Sequence, residues 1–140
     1  MARKILKRKR NNEESEICKA LWTWFFYRFP KFRQCYLRFE VRQTSKIQQA
    51  ILKAEGNKRG TSDILIACSN CDFKGLWLEV KTKKGRATEN QELFHEEMRG
   101  HGFCCHIGYG LDECKEIIED YMKTAYHFAK PFTPPTDSVA

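Results

Sequence analysis

The feature that most constrains the fold of this 140-residue chain is a predicted β-hairpin near its middle. Asp63 to Cys68 contains the continuous apolar run ILIA, and Leu76 to Lys81 alternates in polarity as a strand does. The polar segment Ser69 to Gly75 between them is typical of a hairpin connection. Any fold of this chain must therefore place these two strands side by side in a sheet.

Helices and strands alternate on both sides of the hairpin. The helix after it begins with Thr88 and Gln91 in the arrangement of a capping box. The order predicts an α/β fold with a basic disordered arm (1–12), one domain (13–128) and a flexible proline-containing tail (129–140). The other predicted elements are a helix over Asn11 to Phe29, a strand over Cys35 to Arg42, a short helix over Thr44 to Glu55, a helix from Thr88 to Gly100, a strand over Phe103 to Tyr109 and a helix over Asp112 to His127.

Apolar periodicity predicts which residues face the core. The first helix is unusual because a second apolar stripe, formed by Trp22, Phe26 and Phe29, covers another of its faces. Such a helix is either deeply buried in its own domain or shared with a partner, so it is the best candidate for a homodimer contact. In the first strand and the short helix, the residues predicted to point inward are Leu37, Phe39, Val41, Ile47, Ala50, Ile51 and Ala54.

The net charge of +7 is concentrated at the N-terminus, and the rest of the chain is nearly neutral. A basic arm of this kind can lie along phosphates and release counterions, which gives affinity for nucleic acid without sequence specificity. The alternative is a disordered tail that only aids solubility. The basic residues are Arg3, Lys4, Lys7, Arg8, Lys9 and Arg10.

The cysteines and the apolar runs indicate a cytoplasmic protein. Seven cysteines, an odd number without a framework pattern, fit free thiols in a reducing compartment. The longest uncharged apolar runs, such as Ala20 to Tyr27, are too short to span a bilayer, and the basic N-terminus is not followed by a signal-peptide core. We therefore expect no membrane partner.

The second hairpin strand carries the residues that suggest chemistry. Glu79 and Lys81 point to one face, with Cα atoms roughly 6.5 to 7 Å apart, because strand side chains alternate. If Asp63 starts the adjacent strand, its carboxylate can converge with Glu79 on a hard cation such as Mg²⁺ or Mn²⁺. A metal-activated water with a neighbouring lysine is suited to phosphodiester hydrolysis. The alternative is a simple ion pair on a solvated strand.

Four segments together resemble the VRR-NUC domain, the virus-type replication-repair branch of the PD-(D/E)xK nuclease superfamily. They are Lys46 to Asp63 (KIQQAILKAEGNKRGTSD), Gly75 to Arg86 (GLWLEVKTKKGR), Gln91, and Gly102 to Gly110 (GFCCHIGYG). The resemblance covers about residues 13 to 122. It implies a restriction-endonuclease-like core, in which a central mixed four-stranded sheet with the hairpin at its heart is flanked by helices.

The resemblance also implies roles for individual residues. Asp63, Glu79 and Lys81 match the two acids and the lysine of the family motif, and the backbone carbonyl of Val80 would join the metal shell. Gln91 matches a glutamine typical of the family, although the capping box is an alternative role for it. No small-molecule cofactor is implied besides Mg²⁺ or Mn²⁺.

The first helix and the turn before Asp63 are matched less closely. A glutamate early in the first helix usually completes the site, and Glu14 is the best match, followed by Glu16 and Glu13. The family commonly has proline just before the aspartate, where this chain has Ser62. Because proline would direct the chain but supplies no ligand, this departure concerns the turn geometry and leaves the chemistry intact.

Other residues offer competing or supporting roles. Lys83, Lys84 and Arg86 follow the catalytic triplet directly and are placed to contact phosphates, unless they only decorate a solvated loop. Cys68 and Cys71 form a CxxC motif, which with the later cysteines suggests an alternative, a zinc-stabilised interaction protein. The adjacent Cys104 and Cys105 disfavour it, because neighbouring side chains on a strand point in opposite directions. His95, on a polar helix face, His101 and His127 form no paired motif and are interpreted as bystanders.

These features predict a metal-dependent DNA endonuclease that hydrolyses phosphodiester bonds. Stand-alone relatives are often viral, and several act as homodimers on branched DNA, so the resemblance implies a four-way (Holliday) junction resolvase in a host cytoplasm. One alternative is a flap or duplex nuclease without junction selectivity. Another is a non-catalytic DNA-binding module that uses the basic arm, which the intact acid–acid–lysine set disfavours.

Overall fold

A computed structural model describes residues 2–39, 45–58 and 60–127, with side chains described from Asn12 onward in the first stretch. In these stretches four helices, one 3-10 helix and four strands follow one another along the chain. They are α1 (Ala2–Arg28), the 3-10 helix (Pro30–Cys35), β1 (Tyr36–Arg38), α2 (Lys46–Ala54), β2 (Ile64–Ile66), β3 (Leu76–Lys81), α3 (Glu89–Gly100), β4 (Cys104–Tyr109) and α4 (Leu111–Met122).

The four strands form one mixed sheet in the order β1-β2-β3-β4. The hairpin pairs β2 with β3 antiparallel, with Ile64 opposite Leu78, and β1 pairs antiparallel with β2. β4 runs parallel to β3 because α3 carries the chain back across the sheet before β4 begins. The structure therefore confirms the predicted mixed four-stranded sheet flanked by helices.

Helices cover both faces of the sheet. On one face, α1 and α4 enclose an apolar core in which Leu21, Phe25, Leu78 and Ile118 are fully buried. On the other face, Phe94 of α3 packs edge-to-face on Trp77 of β3, with ring centroids 5.0 Å apart. As a result, β3 is buried along both faces, and only Lys81 at its end is partly exposed.

The N-terminal helix differs from the prediction. Its backbone begins at Ala2 rather than at Asn11, so the basic segment belongs to α1. The residues before Pro30 include no proline or glycine, and lysine, arginine, leucine and alanine favour a helix. The predicted tail from residue 129 lies outside the described residues.

The inward faces predicted for β1 and α2 are also wrong. In β1 it is Tyr36 that is buried, against α1, while Leu37 and Phe39 are 41% exposed on the opposite face near the edge of the sheet. In α2 every apolar residue of the predicted face is exposed, with Ile47 at 76%, because the other helices already cover the sheet. Val41 lies outside the part of the chain that the structure describes.

The last helix is shorter than predicted and ends at Met122 instead of His127. The chain leaves the helix there because the amide of Tyr126 donates a hydrogen bond to the carbonyl of Ser69, in the hairpin connection, at 2.9 Å. Through the described parts of the chain, no helix has both the length and the apolarity of a membrane span.

Candidate active site

Asp63 is held in place by both of its neighbouring strands. It directly precedes β2, and its backbone carbonyl accepts a hydrogen bond from the amide of Phe39, at the end of β1, at 2.7 Å. Its Oδ2 accepts a second hydrogen bond from the amide of Val80 in β3 at 2.8 Å. The hairpin therefore brings the aspartate beside the strand that carries the other predicted site residues.

Glu79 lies inside the protein, only 3% exposed, on the face of β3 that is turned toward α3. Its Oε1 accepts a hydrogen bond from Nε2 of Gln91 at 2.6 Å, and Nζ of Lys81 lies 3.5 Å from the same oxygen. Its Oε2 is buried and has no hydrogen-bond partner among the described residues. A buried carboxylate oxygen without a partner is costly, which makes this atom a natural ligand for a cation.

The electrostatics of the two acids support the same interpretation. Burial raises the pKa of Glu79 well above its usual range, and the nearby negative charge of Asp63 raises it further. The ammonium of Lys81 lowers this pKa but does not offset the other two effects. A divalent cation between the carboxylates would favour their ionised forms, so the pair fits the hard metal that the sequence predicts.

The metal site would be built from few protein ligands. Across the described residues, no group of three or more histidine, cysteine, aspartate or glutamate side chains is arranged to hold a metal ion. Two carboxylates are nevertheless enough for Mg²⁺, which keeps several waters and completes its shell with substrate phosphate oxygens. Val80 stands between Glu79 and Lys81 in β3, so its carbonyl remains a candidate ligand on sequence grounds.

Of the three glutamates considered in the first helix, Glu14 has the most favourable position. It is partly buried, whereas Glu13 and Glu16 are exposed, and Glu16 pairs with Lys19 at 3.2 Å. The thiol of Cys18, one turn after Glu14, has a pKa raised mainly by burial and also by the charges of Asp63, Glu14 and Glu79. The charges of Glu14 and of both site carboxylates thus act on the same thiol.

Gln91 forms the predicted capping box and also contacts Glu79. Thr88 Oγ1 accepts a hydrogen bond from the Gln91 amide, and the Gln91 side-chain oxygen accepts one from the Thr88 amide, which confirms the capping box. The side-chain nitrogen of Gln91 donates to Glu79. The cap thus orients the amide group so that its other end holds the buried carboxylate.

Arg38 lies beside Asp63, a contact that the sequence interpretation missed. It alternates with Leu37 and Phe39 along the predicted strand, where a charged side chain is expected to face solvent, but its Nη1 lies 3.4 Å from Oδ1 of Asp63. Each site carboxylate thus has a cationic neighbour, Arg38 for Asp63 and Lys81 for Glu79. This contact was hard to predict, because a charged residue in an alternating strand usually faces solvent.

His95 was predicted to lie on a polar helix face, and the structure buries its side chain. It is 2% exposed, and its Nε2 lies 2.5 Å from Oγ of the fully buried Ser62. The polar face of α3 points toward the loop before Asp63 rather than toward solvent, because that loop packs on the helix. The spacing of four residues from Gln91, which places both side chains on one helix face, was the available signal.

The remaining residues singled out in the sequence are the cysteines and the basic side chains. All seven cysteines fall in the described residues and are free thiols, with Cys68 buried and Cys71 exposed. Lys83, Lys84 and Arg86 are exposed in the turn after Lys81. The six basic residues from Arg3 to Arg10 belong to the first turns of α1, and their side chains lie outside the description.

The four strands form a mixed sheet flanked by helices, and its central hairpin brings Asp63, Glu79 and Lys81 close together. No protein-family model matches the chain, and no curated protein sequence matches it. A solved structure described as a VRR_NUC domain protein matches 79% of this chain and 88% of that chain, with a TM-score of 0.70 and 23% sequence identity. The chain therefore has the fold of a VRR-NUC domain, as the sequence predicted.

Proposed function

We propose that this protein is a Mg²⁺- or Mn²⁺-dependent nuclease that hydrolyses DNA phosphodiester bonds. The observation that carries the proposal is the buried Glu79 carboxylate, which interacts with Asp63 and lies 3.5 Å from the Lys81 ammonium, and one of whose oxygens has no hydrogen-bond partner in the described part of the chain. A structural ion pair would not need a second acid beside a buried and already paired one, because the added negative charge is unfavourable there.

Each residue of the site would have a different role in hydrolysis. Asp63, Glu79 and the Val80 carbonyl, with Glu14 from α1 as a further ligand, would hold the metal, which supplies a Lewis acid and lowers the pKa of a bound water. Lys81 Nζ would stabilise the negative charge that develops on the phosphate. Gln91 keeps the Glu79 carboxylate oriented, since its amide is fixed by the helix cap.

Basic residues next to the site would bind the substrate backbone. Lys83, Lys84 and Arg86 are exposed directly after Lys81, so phosphates flanking the scissile bond would lie within their reach. The six basic residues near the N-terminus would add contacts without sequence preference, and their helical backbone would present them along α1.

We further propose that the protein acts as a homodimer on branched DNA, in the host cytoplasm if it is viral. Exposed apolar side chains on α1 and α2 support a partner contact, since Tyr27 is 75% and Ile47 is 76% exposed. Two copies would bring two sites to one junction for paired cuts. A flap or duplex nuclease without junction selectivity is the nearest alternative.

A cleavage assay separates these proposals. A four-way junction, a flap and plain duplex are each incubated with the protein in Mg²⁺ or Mn²⁺. Asp63→Ala and Lys81→Ala should each reduce the rate at least about 100-fold, whereas Asp120→Ala, an exposed carboxylate paired with Lys123, should not. Cleavage that survives both site substitutions would contradict the proposed site. Equal cutting of duplex and junction would contradict junction selectivity alone, and binding without cutting would favour the non-catalytic module.

A further inference from the structure

A buried polar pair joins α3 to the residue just before Asp63. Ser62 is 0% exposed and His95 is 2% exposed, and Oγ of Ser62 lies 2.5 Å from Nε2 of His95. Burial, with smaller contributions from Arg99 and His106, lowers the pKa of His95 to about 4, so the imidazole is neutral at neutral pH. The pair therefore adds a directional hydrogen bond, but no charge, beside the site.

This pair is not needed to fill space. Two apolar side chains of similar volume would pack there without the cost of removing polar groups from water. A hydrogen bond, in contrast, fixes both the distance and the direction between the loop and the helix. A buried serine–histidine pair is therefore most useful where the position of the adjacent residue matters.

A second contact holds the same loop on the same helix. Gly60 has φ +88, and a Cβ at this position would lie 2.6 Å from the backbone carbonyl carbon of Asn90 in α3. The loop is thus docked on α3 at Gly60 and again at Ser62, immediately before Asp63. The same helix holds the other carboxylate through Gln91 and Glu79.

We propose that Ser62 and His95 form a positioning pair through which α3 sets the Asp63 carboxylate relative to Glu79 for metal binding. One rigid helix then controls both carboxylates, Glu79 through Gln91 directly and Asp63 through the backbone of Ser62. This inference rests on the proposed function. It also assigns a purpose to the serine that stands where a proline would otherwise direct the chain into β2.

The test compares variants that keep or break this hydrogen bond. His95→Gln places a side-chain amide near the position of Nε2 and keeps the bond, whereas the shorter amide of His95→Asn does not reach Ser62. Ser62→Ala removes the bond from the other side. The primary measurement is the Kd for Mn²⁺ by calorimetry without DNA, accompanied by kcat and KM for the best DNA substrate and by a urea denaturation curve.

We expect Ser62→Ala and His95→Asn each to weaken Mn²⁺ binding by about 10-fold, the lower end of the effect of residues that orient metal ligands. His95→Gln should stay within about 2-fold of the wild type. The double variant Ser62→Ala, His95→Asn should bind no more weakly than the weaker single variant, because one hydrogen bond is lost in both. The lower activity should appear in kcat rather than in KM.

A control separates positioning from general stability. Ile118→Val removes a methylene from the fully buried core beside α4 and should lower stability without changing Mn²⁺ affinity. Weaker Mn²⁺ binding in this variant, at an equal loss of stability, would overturn the proposal, as would unchanged binding in both Ser62→Ala and His95→Asn.

If Ser62→Ala does not fold, the comparison of His95→Gln with His95→Asn tests the proposal alone. A wild type that neither binds Mn²⁺ nor cuts DNA refutes the proposed function and this inference together, whereas a cutting wild type with indifferent variants refutes only the inference.

Discussion

The two faces of β3 show how one strand serves two purposes. Toward α1 and α4 it presents Leu76, Leu78 and Val80, all fully buried in an apolar cluster. Toward α3 it presents Trp77, Glu79 and Lys81, and here the burial encloses charges and hydrogen bonds. The first face stabilises the fold at no electrostatic cost, while the second buries a carboxylate whose charge is unfavourable there. Substitutions on the two faces should therefore differ in the property they change.

On the apolar side we expect the largest effect on stability. Phe25 is 0% exposed, with its ring 5.0 Å from that of Tyr36, so Phe25→Ala should lower the free energy of unfolding by about 3–5 kcal/mol. Urea denaturation measures this loss. Tyr27→Ala, on the exposed side of the same helix, should change stability by less than about 0.5 kcal/mol. Similar losses of stability in both variants would contradict the assignment of Phe25 to the buried side of α1 and of Tyr27 to its exposed side.

On the polar side, Glu79→Gln should abolish most activity without comparable destabilisation. The folded-state pKa of Glu79 is raised, so its stabilising contribution is present below the unfolded pKa of glutamate and is lost as pH rises through the folded pKa. With a chelator present, the wild type should therefore lose stability relative to Glu79→Gln as pH rises from about 4 toward 8. Denaturation midpoints across this range measure the difference. A wild type that gains stability relative to Glu79→Gln as the pH rises would contradict the burial of an ionisable Glu79.

The smallest expected effect lies at the exposed rim next to the polar face. Replacing Lys83, Lys84 and Arg86 by alanine should weaken DNA binding and reduce the slope of log K against log salt by about 2–3. Fluorescence anisotropy measures this in the Asp63→Ala background, where cleavage is prevented. Lys123→Ala, which removes an exposed lysine from the turn after α4, is the matched control. An unchanged slope in the triple variant would show that these three residues are exposed on a solvated loop without contacting DNA phosphates.

The hairpin and its charged face were predictable because they depend on local pattern. Alternation along β3 placed Glu79 and Lys81 together, and the start of the apolar run placed Asp63 opposite them. The capping box at Thr88 and Gln91 is likewise a local motif, and the structure confirms it. The metal shell, junction selectivity and homodimer stay predictions, since they concern a bound ion and partners.

Alternation could not reveal which face of each element is covered. Leu37 and Ile47 look like core residues in the sequence, but they lie where the sheet and its helices leave them exposed. Arg38 and His95 look like solvated residues, but the packing of β1 and α3 brings them to Asp63 and to the loop before it. In each case the deciding factor was the position of a neighbouring element far away in the sequence.

The sequence by itself determined the hairpin of β2 and β3, the capping box of α3 and the placement of Glu79 and Lys81 on one face of β3, because these follow from backbone periodicity and side-chain chemistry over a few residues. Only the tertiary structure decided that Glu79 is buried with one oxygen that no described residue hydrogen-bonds, and that α3 contacts both carboxylate-bearing segments. The physical reason is that burial and hydrogen-bond partners depend on which elements meet. The residues of the hairpin that suggest the chemistry could therefore be identified from the sequence, whereas their surroundings could not. These surroundings are what makes the carboxylate pair suited to a metal.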